Sequence, residues 1–234
     1  STPKPSSAAS DVYKRQLLPF NQYYSQGNLT NVAPGGAYMN IPSEISKEGV
    51  EKITIGNTFS AGLSKEGNLF VWGADNEDKI LKVPDKAKKA LESKKIVDVA
   101  AGDRHLIFAT EDNEIYGWGN NSFKQTAMPK INEQQIKKEG IKKLGAGVQY
   151  SVVLTKENNL IAWGSTMASR LNIIPPSLKG KVVDFATNPI NILVIKDDGS
   201  IELIGVLGAE NSTKMPEELK DGSVKVCLLY TSPS

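Results

Sequence analysis

Short apolar segments alternate with polar turns through most of this chain, and the segments are rich in β-branched and aromatic residues. Runs of this length and composition predict β-strands rather than helices. The pattern repeats as a strand, a tight turn and a further strand. Four stretches align on it: residues 56–73, 102–119, 147–164 and 187–205. A preceding strand is predicted most clearly at residues 50–56, 95–102 and 180–187.

Two sequence markers keep the same period along the chain. The last strand of a stretch ends in Trp-Gly at Trp72, Trp118 and Trp163, and Ile204 takes the tryptophan position in the fourth stretch. These residues are 46, 45 and 41 positions apart. An apolar residue followed by proline recurs at intervals of 42, 45, 46 and 41 residues, at Pro42, Pro84, Pro129, Pro175 and Pro216. Two unrelated markers with one period establish an internal repeat.

The segments between the predicted strands have their own signatures. The turns carry Gly, Asn or Asp where a tight hairpin requires positive φ. They lie at residues 64–68, 110–114, 155–159 and 196–200. Two connections between units, residues 84–95 and 131–140, are rich in Lys and Glu and predict helices, the first with Pro84 in its opening turn.

Units of about 45 residues with several short strands are typical of the blades of a β-propeller. One blade cannot cover its own apolar faces, so neighbouring blades must pack against each other. We therefore expect an all-β fold, a partial (open) β-propeller of about four blades, each a four-stranded antiparallel sheet, with short helical insertions between blades. The expected blade units are residues 43–84, 85–129, 130–175 and 176–216. A remnant of a preceding unit or linker is expected at residues 17–42, and the start of a truncated unit at residues 217–226.

The two ends of the chain do not share this pattern. Residues 6–16 resemble the in-frame translation of a transposase-based sequencing adapter, and residues 227–234 resemble the inverted end of the same adapter. We therefore interpret residues 1–16 and 227–234 as adapter-derived and expect the first of these segments to be disordered. On this interpretation the natural chain continues in both directions.

Setting these ends aside changes the charge and cysteine arguments. The chain has 28 basic and 26 acidic residues, and residues 1–16 hold three of the basic and one of the acidic ones. The remaining segment is therefore neutral, with 25 of each, and no nucleic-acid partner is expected. Cys227, the only cysteine, lies in an excluded end, so no disulfide framework is expected. No apolar run approaches the roughly 18 residues of a membrane-spanning helix.

Residues 99–125 resemble the repeats of the regulator of chromosome condensation family. The matching positions are Gly102, His105, Trp118, Gly119, Asn120 and Gln125. Other units keep part of the pattern, with Phe59 or Tyr150 in the histidine position, so that the resemblance covers about residues 50–205. It implies a propeller of four-stranded blades, of which complete members usually have seven. It also implies structural roles for Gly56, Trp72, Gly73, Gly102, His105, Trp118, Gly119, Gly147, Trp163, Gly164 and Gly205.

Candidate catalytic and metal-binding chemistry is sparse in this sequence. His105 is the only histidine, so only one possible base exists for a Ser/His/Asp triad, and a site with several histidines is excluded. The acidic loop at residues 75–78 does not match a calcium-loop pattern, and residues 33–38 lack the form of a phosphate-binding loop. We therefore expect no enzyme activity, no cofactor and no metal site.

The loops that follow each Trp-Gly occupy equivalent places in successive units and should gather on one face of the fold. Their polar residues are Asp75, Asn76, Glu77, Asn120, Asn121, Ser122, Ser165 and Thr166. Polar loops on a rigid scaffold are suited to protein recognition. We therefore expect a non-catalytic scaffold for protein–protein interaction, with a protein as its partner.

The composition, simple and rich in Lys, Glu, Asn and Ile, favours a bacterial source. Related repeats in bacterial surface proteins favour part of a larger cell-envelope or secreted protein, whose membrane spans would lie outside this fragment. The resemblance leaves open a regulator-type propeller that acts as a guanine-nucleotide exchange factor or binds chromatin. Neutral charge disfavours the basic face that such a regulator needs. An enzyme-associated propeller domain is a further alternative.

Overall fold

The computed structural model describes residues 41–164 and 173–205. Within these ranges the chain forms strands with short helices between them. The strands are β1 (Val50–Ile55), β2 (Phe59–Ser64), β3 (Leu69–Gly73), β4 (Ile96–Ala101), β5 (His105–Thr110), β6 (Ile115–Gly119), β7 (Ile141–Ala146), β8 (Tyr150–Thr155), β9 (Leu160–Gly164), β10 (Val182–Thr187), β11 (Asn191–Lys196) and β12 (Ile201–Gly205). The helices are α1 (Ser43–Glu48), α2 (Asp85–Ser93) and α3 (Lys130–Glu139), with a 3₁₀ turn at Pro176–Leu178.

Each set of three consecutive strands forms its own antiparallel sheet, with the strands in chain order. We call the sheets β1–β3, β4–β6, β7–β9 and β10–β12 blades 1 to 4. Four repeated antiparallel sheets joined by short helical connections confirm the all-β fold class. The internal repeat therefore corresponds to a repeated sheet.

The expectation of four-stranded blades is wrong for the described residues, in which each sheet has three strands. After Trp72-Gly73 the chain turns instead of returning as a strand. The side chain of Asn76 accepts a hydrogen bond from the backbone N–H of Asp78, and Lys79 has a φ of 53°. Helix α2 then begins directly after Pro84, and Pro favours the start of a helix. These turns and the helix take up the residues that a fourth strand would need.

The hairpin turns have the backbone conformation that the sequence predicts. Gly67, Asn113, Asn158 and Gly199 occupy equivalent places, and their φ values are 88°, 61°, 60° and 78°. Only glycine adopts this region without a steric penalty, while Asn tolerates it better than most residues. The turns thus set the register that places Trp72 opposite Ser60, and the same register recurs in the other blades.

Two helices occur where the sequence predicts them, since α2 lies within residues 84–95 and α3 overlaps residues 131–140. Helix α1 and the 3₁₀ turn were not predicted, although both follow one of the repeated prolines. Each helix buries a small apolar face. Ile45 of α1 and Ile136 of α3 are almost completely buried, and α2 buries two alanines.

The first strands of the four blades lie side by side, and we call β1, β4, β7 and β10 the inner strands. Backbone hydrogen bonds join them where each strand turns into the next. Asn57 N–H donates to the carbonyl of Asp103 at 2.8 Å, and Asp103 N–H donates to that of Gly147 at 3.1 Å. Val148 N–H continues the series to the carbonyl of Pro189 at 3.0 Å. Successive blades are therefore linked by their backbones as well as by side chains.

The apolar core lies between the blades rather than within any one of them. One cluster joins blades 1 and 2 and includes Phe59, Leu106 and Trp118. A second joins blades 2 and 3 through residues such as Ile107 and Trp163, and a third joins blades 3 and 4. Burial between neighbours is the expected consequence of a repeat that cannot cover its own faces.

Candidate interaction surface

The loops after Trp-Gly lie at the same end of the fold as the turns between the first and second strands of each blade. We call this the loop end, and within the described residues it consists of residues 56–58, 74–83, 102–104, 120–127, 147–149 and 188–190. Arg104 joins two of these loops. Its Nη2 donates to Glu77 Oε2 at 3.0 Å, and its Nε lies 2.7 Å from Asp78 Oδ2. Asn120 Nδ2 donates to the other oxygen of Asp78 at 2.9 Å. The loops of blades 1 and 2 are thus held together by Asp78.

The loop of blade 1 is also fixed by its own side chains. Asp75 Oδ1 accepts hydrogen bonds from the backbone N–H groups of Asn76 and Leu81, each at 3.1 Å. Asn76 donates from Nδ2 to Thr58 Oγ1 at 3.3 Å, besides accepting from Asp78 N–H. Asp and Asn are the residues that typically close such turns by bonding to the backbone. The loop is therefore ordered before any partner arrives.

The loop of blade 2 has a similar internal arrangement. Asn120 Oδ1 accepts from the Gln125 side chain at 2.9 Å and from Ser122 N–H at 3.2 Å. Gln125 is buried, and its Oε1 accepts from Phe123 N–H at 2.9 Å. Asn121 Oδ1 accepts from the N–H of residue 126 at 3.1 Å. A buried glutamine at the base of the loop thus shapes the residues that reach solvent.

The predicted loop residues divide into those that face solvent and those that hold the loops. Asp75, Glu77, Asn121 and Ser122 are exposed, and the Glu77 side chain is 89% exposed. Asn76 and Asn120 are partly buried because their amides bond within the structure. Ser165 and Thr166 lie outside the described residues. The structure thus places six of the eight predicted residues at one end.

Sequence reasoning missed three residues that matter at this end. Arg104 stands at a variable position of the repeat, so nothing in the pattern marks it as the group that joins two loops. Asp78 was considered only as part of an acidic run, and its place beside Arg104 depends on the contact between blades. Phe123 is 41% exposed and adds an apolar ring to an otherwise polar loop.

Arg104 and the neighbouring Asp103 both have shifted pKa values. The hydrogen bond to Glu77 raises the pKa of Arg104 above its already high value. Burial raises the pKa of Asp103, and the neighbouring Arg104 opposes that shift. The loop end is a mixed surface of carboxylates, amides, one guanidinium and the exposed lysines Lys79, Lys82 and Lys124.

A Ser–His pair lies beneath the loops. His105 Nε2 is 2.9 Å from Ser151 Oγ, which donates to the carbonyl of Gln125 at 2.8 Å. Because the Ser151 hydroxyl donates its one hydrogen to that carbonyl as a hydrogen bond, its oxygen is left to accept, which assigns the hydrogen of His105 to Nε2. Both residues are fully buried, and burial lowers the pKa of His105 to about 4. A substrate cannot reach this serine. Since His105 belongs to blade 2 and Ser151 to blade 3, the role of the pair is to join these two blades.

The repeated glycines make room for the ring at the histidine position. A Cβ on Gly56 would lie 2.2 Å from the Phe59 ring, and one on Gly147 would lie 2.0 Å from that of Tyr150. In blade 4 the glycine and the ring are both replaced by asparagine, at residues 188 and 191. The glycine is thus required by the ring that lies against it.

Two of the repeated tryptophans, Trp118 and Trp163, bind the loop of the preceding unit. Trp118 Nε1 donates to the carbonyl of Ile80 at 2.7 Å, and Trp163 Nε1 donates to that of Gln125 at 2.9 Å. Both indoles are buried. Each loop is therefore attached through its backbone to the next blade. The remaining repeat positions Gly73, Gly119, Gly164 and Gly205 have positive φ and end the third strand of each blade.

The described residues contain no group of three His, Cys, Asp or Glu side chains placed to hold a metal ion. In the same part of the chain, the helices are too short and too polar to cross a membrane.

The class of protein follows from this arrangement of repeated sheets and from comparison with known proteins. Residues 96–125 match the model of the regulator of chromosome condensation (RCC1) repeat. The solved structure of Prp20p from Saccharomyces cerevisiae aligns with a TM-score of 0.52 and 20% identity, covering 70% of this chain and 45% of that one. The ectodomain of the receptor kinase CR4 from Physcomitrella patens aligns with a TM-score of 0.53 and 20% identity, covering 67% and 41%. These likenesses support the propeller-like fold.

The chain carries RCC1-type repeats in a propeller-like fragment, and its curated relatives by sequence include the following two. The human E3 ubiquitin-protein ligase HERC2 is 35% identical over 79 residues, 31% of this chain and 2% of HERC2. The mitochondrial RCC1 domain-containing protein RUG3 of Arabidopsis thaliana is 25% identical over 113 residues, 43% of this chain and 24% of RUG3. The chain thus spans less than a quarter of the length of either relative.

Proposed function

We propose that the loop end is a protein-binding surface and that the chain acts as a non-catalytic interaction scaffold. The observation that carries this proposal is the Arg104 contact with Glu77 and Asp78, which fixes two loops relative to each other. The fixed loops still present exposed carboxylates and the exposed ring of Phe123.

Binding energetics favour a surface of this kind. Ordering a loop during association costs free energy, and a loop that is already ordered avoids that cost. An aromatic ring among polar groups also matches the usual composition of protein interfaces. The loop end therefore has the two properties that a recognition surface needs, rigidity and mixed chemistry.

The comparisons support a protein partner without identifying it. The Prp20p structure is described with binding properties to Gsp1p and histones, and another structure shows Kap60 bound to the same yeast protein. Those partners belong to Prp20p. For this chain we propose a protein partner without naming it. We also propose that the chain is part of a larger bacterial envelope or secreted protein.

The proposal is tested with paired substitutions at the two ends of the fold. Glu77→Ala with Phe123→Ala alters the loop end, and Glu157→Ala with Ile131→Ala is the matched control on exposed residues elsewhere. A partner is first identified by cross-linking to the unaltered protein in its source cells. We expect the loop-end variant to lose most of the cross-linked product while the control retains it. Equal cross-linking by both variants would refute the assignment of the surface.

The cellular setting has a separate test. Fractionation of cells that express the full-length protein should place it in the envelope or the medium, and recovery in the cytosol alone would contradict that part of the proposal. A nucleotide-exchange assay with small GTPases of the same organism examines the regulator alternative, for which we expect no acceleration.

A further inference from the structure

A cavity opens at the loop end, where the inner strands of all four blades finish. It has a volume of about 300 Å³ and is lined by residues 54–57, 101–103, 146–148 and 187–189. These are the last residues of the inner strands and the first residues of the turns that follow them. Most of their side chains are small, which leaves room for part of another molecule.

Asp103 is the one charged residue among the described residues that line this cavity. The equivalent positions of the other turns hold Asn57, Val148 and Pro189. Arg104 and the three exposed lysines of the loop end are described by the structure but do not line the cavity. The guanidinium of Arg104 is already bound by two carboxylates. A single carboxylate therefore gives the cavity its charge.

The backbone of Asp103 is held by both neighbouring blades. Its N–H donates to the carbonyl of Gly147 at 3.1 Å, and its carbonyl accepts from the N–H of Asn57 at 2.8 Å. The carboxylate, in contrast, makes no hydrogen bond and no ion pair with any residue that the structure describes. A side chain with a fixed backbone and an unused carboxylate is already placed to bind a group from outside the fold.

Partial burial makes this unpaired carboxylate costly. Removal from water raises the pKa of Asp103, and the nearby charge of Arg104 opposes that shift only in part. A partly buried charge without a partner loses hydration and receives no hydrogen bond in its place. A cation that entered the cavity would supply the missing interaction.

The cavity at the opposite end of the inner strands has a different arrangement of charges. Its volume is about 490 Å³, and its lining residues include Lys52, Asp98, Lys143 and Asp184. Lys52 pairs with Asp98 at 2.5 Å, and Lys143 pairs with Asp184 at 2.6 Å. The fold thus pairs these two carboxylates and leaves that of Asp103 unpaired.

The chemistry of the loop-end cavity favours an organic cation over a metal ion. A divalent metal ion needs several oxygen ligands, and the described residues contain no group of three His, Cys, Asp or Glu side chains that could hold one. A lysine or arginine side chain needs one carboxylate and can place its methylene groups against small or apolar neighbours. The cavity is also continuous with the exposed loops, because Arg104, next to Asp103, holds the loop of blade 1.

We propose that this cavity receives a lysine or arginine side chain of the protein partner and that the charged group of this side chain binds the Asp103 carboxylate. The inference rests on the proposed role of the loop end as a protein-binding surface, and it names the side chain that anchors the partner there. A central anchor in a pocket with weaker contacts around it is the usual distribution of binding energy in protein interfaces. The exposed loop residues contact the partner around this anchor.

Side-chain probes test the proposal in the full chain. The probes are lysine and arginine blocked at both ends, and blocked norleucine is the neutral match for lysine. Nuclear magnetic resonance follows the amide signals of Gly102, Gly147 and Val148, which line the cavity. We expect saturable shifts with both basic probes, with dissociation constants on the order of 1–10 mM, and none with norleucine. Equal shifts with norleucine, or no saturable shift with the basic probes, would overturn the proposal.

Two aspartate variants check the role of the carboxylate. Asp103→Asn should weaken the binding of the basic probes about tenfold or more, because their charged group loses a charged acceptor. Asp197→Asn removes an equal charge from the exposed hairpin of blade 4 and should leave binding unchanged. Basic probes that bind Asp103→Asn as tightly as the wild type would refute the role of this carboxylate.

The stability of Asp103→Asn separates a binding role from a structural one. The substitution removes an unpaired, partly buried charge, so the unfolding equilibrium constant should stay unchanged or fall. A rise of roughly threefold or more would show that the carboxylate supports the fold and would contradict the proposal.

The probes also separate this inference from the proposed function. Loss of cross-linking in the Glu77→Ala, Phe123→Ala variant, with no entry of the basic probes, would retain the interaction surface and reject the cationic anchor. Entry of the basic probes, with cross-linking unaffected by that variant, would reject the surface and retain the cation site at Asp103.

Discussion

Asp98 should make one of the largest single contributions to the attachment of neighbouring blades. Its carboxylate accepts from Lys52 Nζ of blade 1 at 2.5 Å, from its neighbour Val99 N–H at 2.8 Å, and from Leu144 N–H of blade 3 at 2.6 Å. Asp98 is 8% exposed, and Leu144 is 2% exposed. One buried side chain thus contacts both neighbouring blades.

The structure allows the cost of Asp98→Ala to be worked out. The Leu144 N–H would be left buried without its acceptor, which costs about 1–3 kcal/mol. Loss of the Lys52 pair adds at most about 1 kcal/mol, because the Lys52 side chain is 32% exposed and water can solvate it. We therefore expect the free energy of unfolding to fall by about 1–4 kcal/mol.

Asp184 provides a matched control at the same position of the repeat. It accepts from Lys143 at 2.6 Å and from Phe185 N–H at 2.8 Å, and its side chain is 37% exposed. The described residues offer it no backbone N–H from a further blade. Asp184→Ala should therefore cost only about 0.5–1.5 kcal/mol.

Urea unfolding followed by tryptophan fluorescence measures both variants. Asp98→Asn should fall between the wild type and Asp98→Ala, since its amide oxygen can still accept from Leu144. Equal losses of stability for Asp98→Ala and Asp184→Ala, within about 0.5 kcal/mol, would refute the argument that the bond to Leu144 N–H dominates.

Three further predictions concern the ring position of the repeat. Ser151→Leu should destabilise the chain by about 1–3 kcal/mol because His105 loses its hydrogen-bond partner. Adding His105→Phe should recover much of this loss, since blades 1 and 2 already combine Phe59 with Leu106. A double variant no more stable than Ser151→Leu would contradict this. Burial lowers the pKa of His105 from 6.5 to about 4. The contribution of neutral His105 to the free energy of unfolding is therefore complete above pH 6.5 and is lost as the pH falls towards 4, on the order of 3 kcal/mol in total. A plot of unfolding free energy against pH should be flatter for His105→Phe across this range, and equal slopes would disprove the role of this residue. Gly147→Ala should destabilise by about 3 kcal/mol or more because its Cβ would overlap the Tyr150 ring, and thermal unfolding that stayed within a few degrees of the wild type would contradict the packing argument.

The sequence predicts the strands and turns well because they depend on local chemistry. Positive φ at Gly67 and Asn113 follows from the residue types that tolerate it, and the strand ends follow from the Trp-Gly marker. The number of strands per blade was predicted incorrectly. It depends on how the chain after Gly73 satisfies its backbone, through Asn76 and a helix, rather than on any strand-like pattern.

Contacts between elements were harder to predict because the same position uses different chemistry in different blades. Glu48 and Glu139, at the ends of α1 and α3, each accept from an asparagine of the following hairpin. In blade 2 the corresponding residue is Lys94, which donates to Glu114 instead and, together with Tyr116 and Lys137, lowers the pKa of that carboxyl to about 2. The geometry is constant while the donor and acceptor exchange places, so a search for matching residues misses the contact.

The ring position also bears on how such a repeat can change by duplication. Phe59 shares an apolar cluster with Leu106, His105 bonds to Ser151, and Tyr150 donates its hydroxyl to the backbone of the next blade. Each ring therefore matches the blade that follows it rather than its own. A copied blade inserted elsewhere in the chain would bring a ring suited to its old following blade and a ring-facing residue suited to its old preceding blade. It would therefore meet a mismatched neighbour on both sides. The unit that must be inherited intact is the interface between two blades. Recombination within a sheet would preserve this interface better than recombination between sheets.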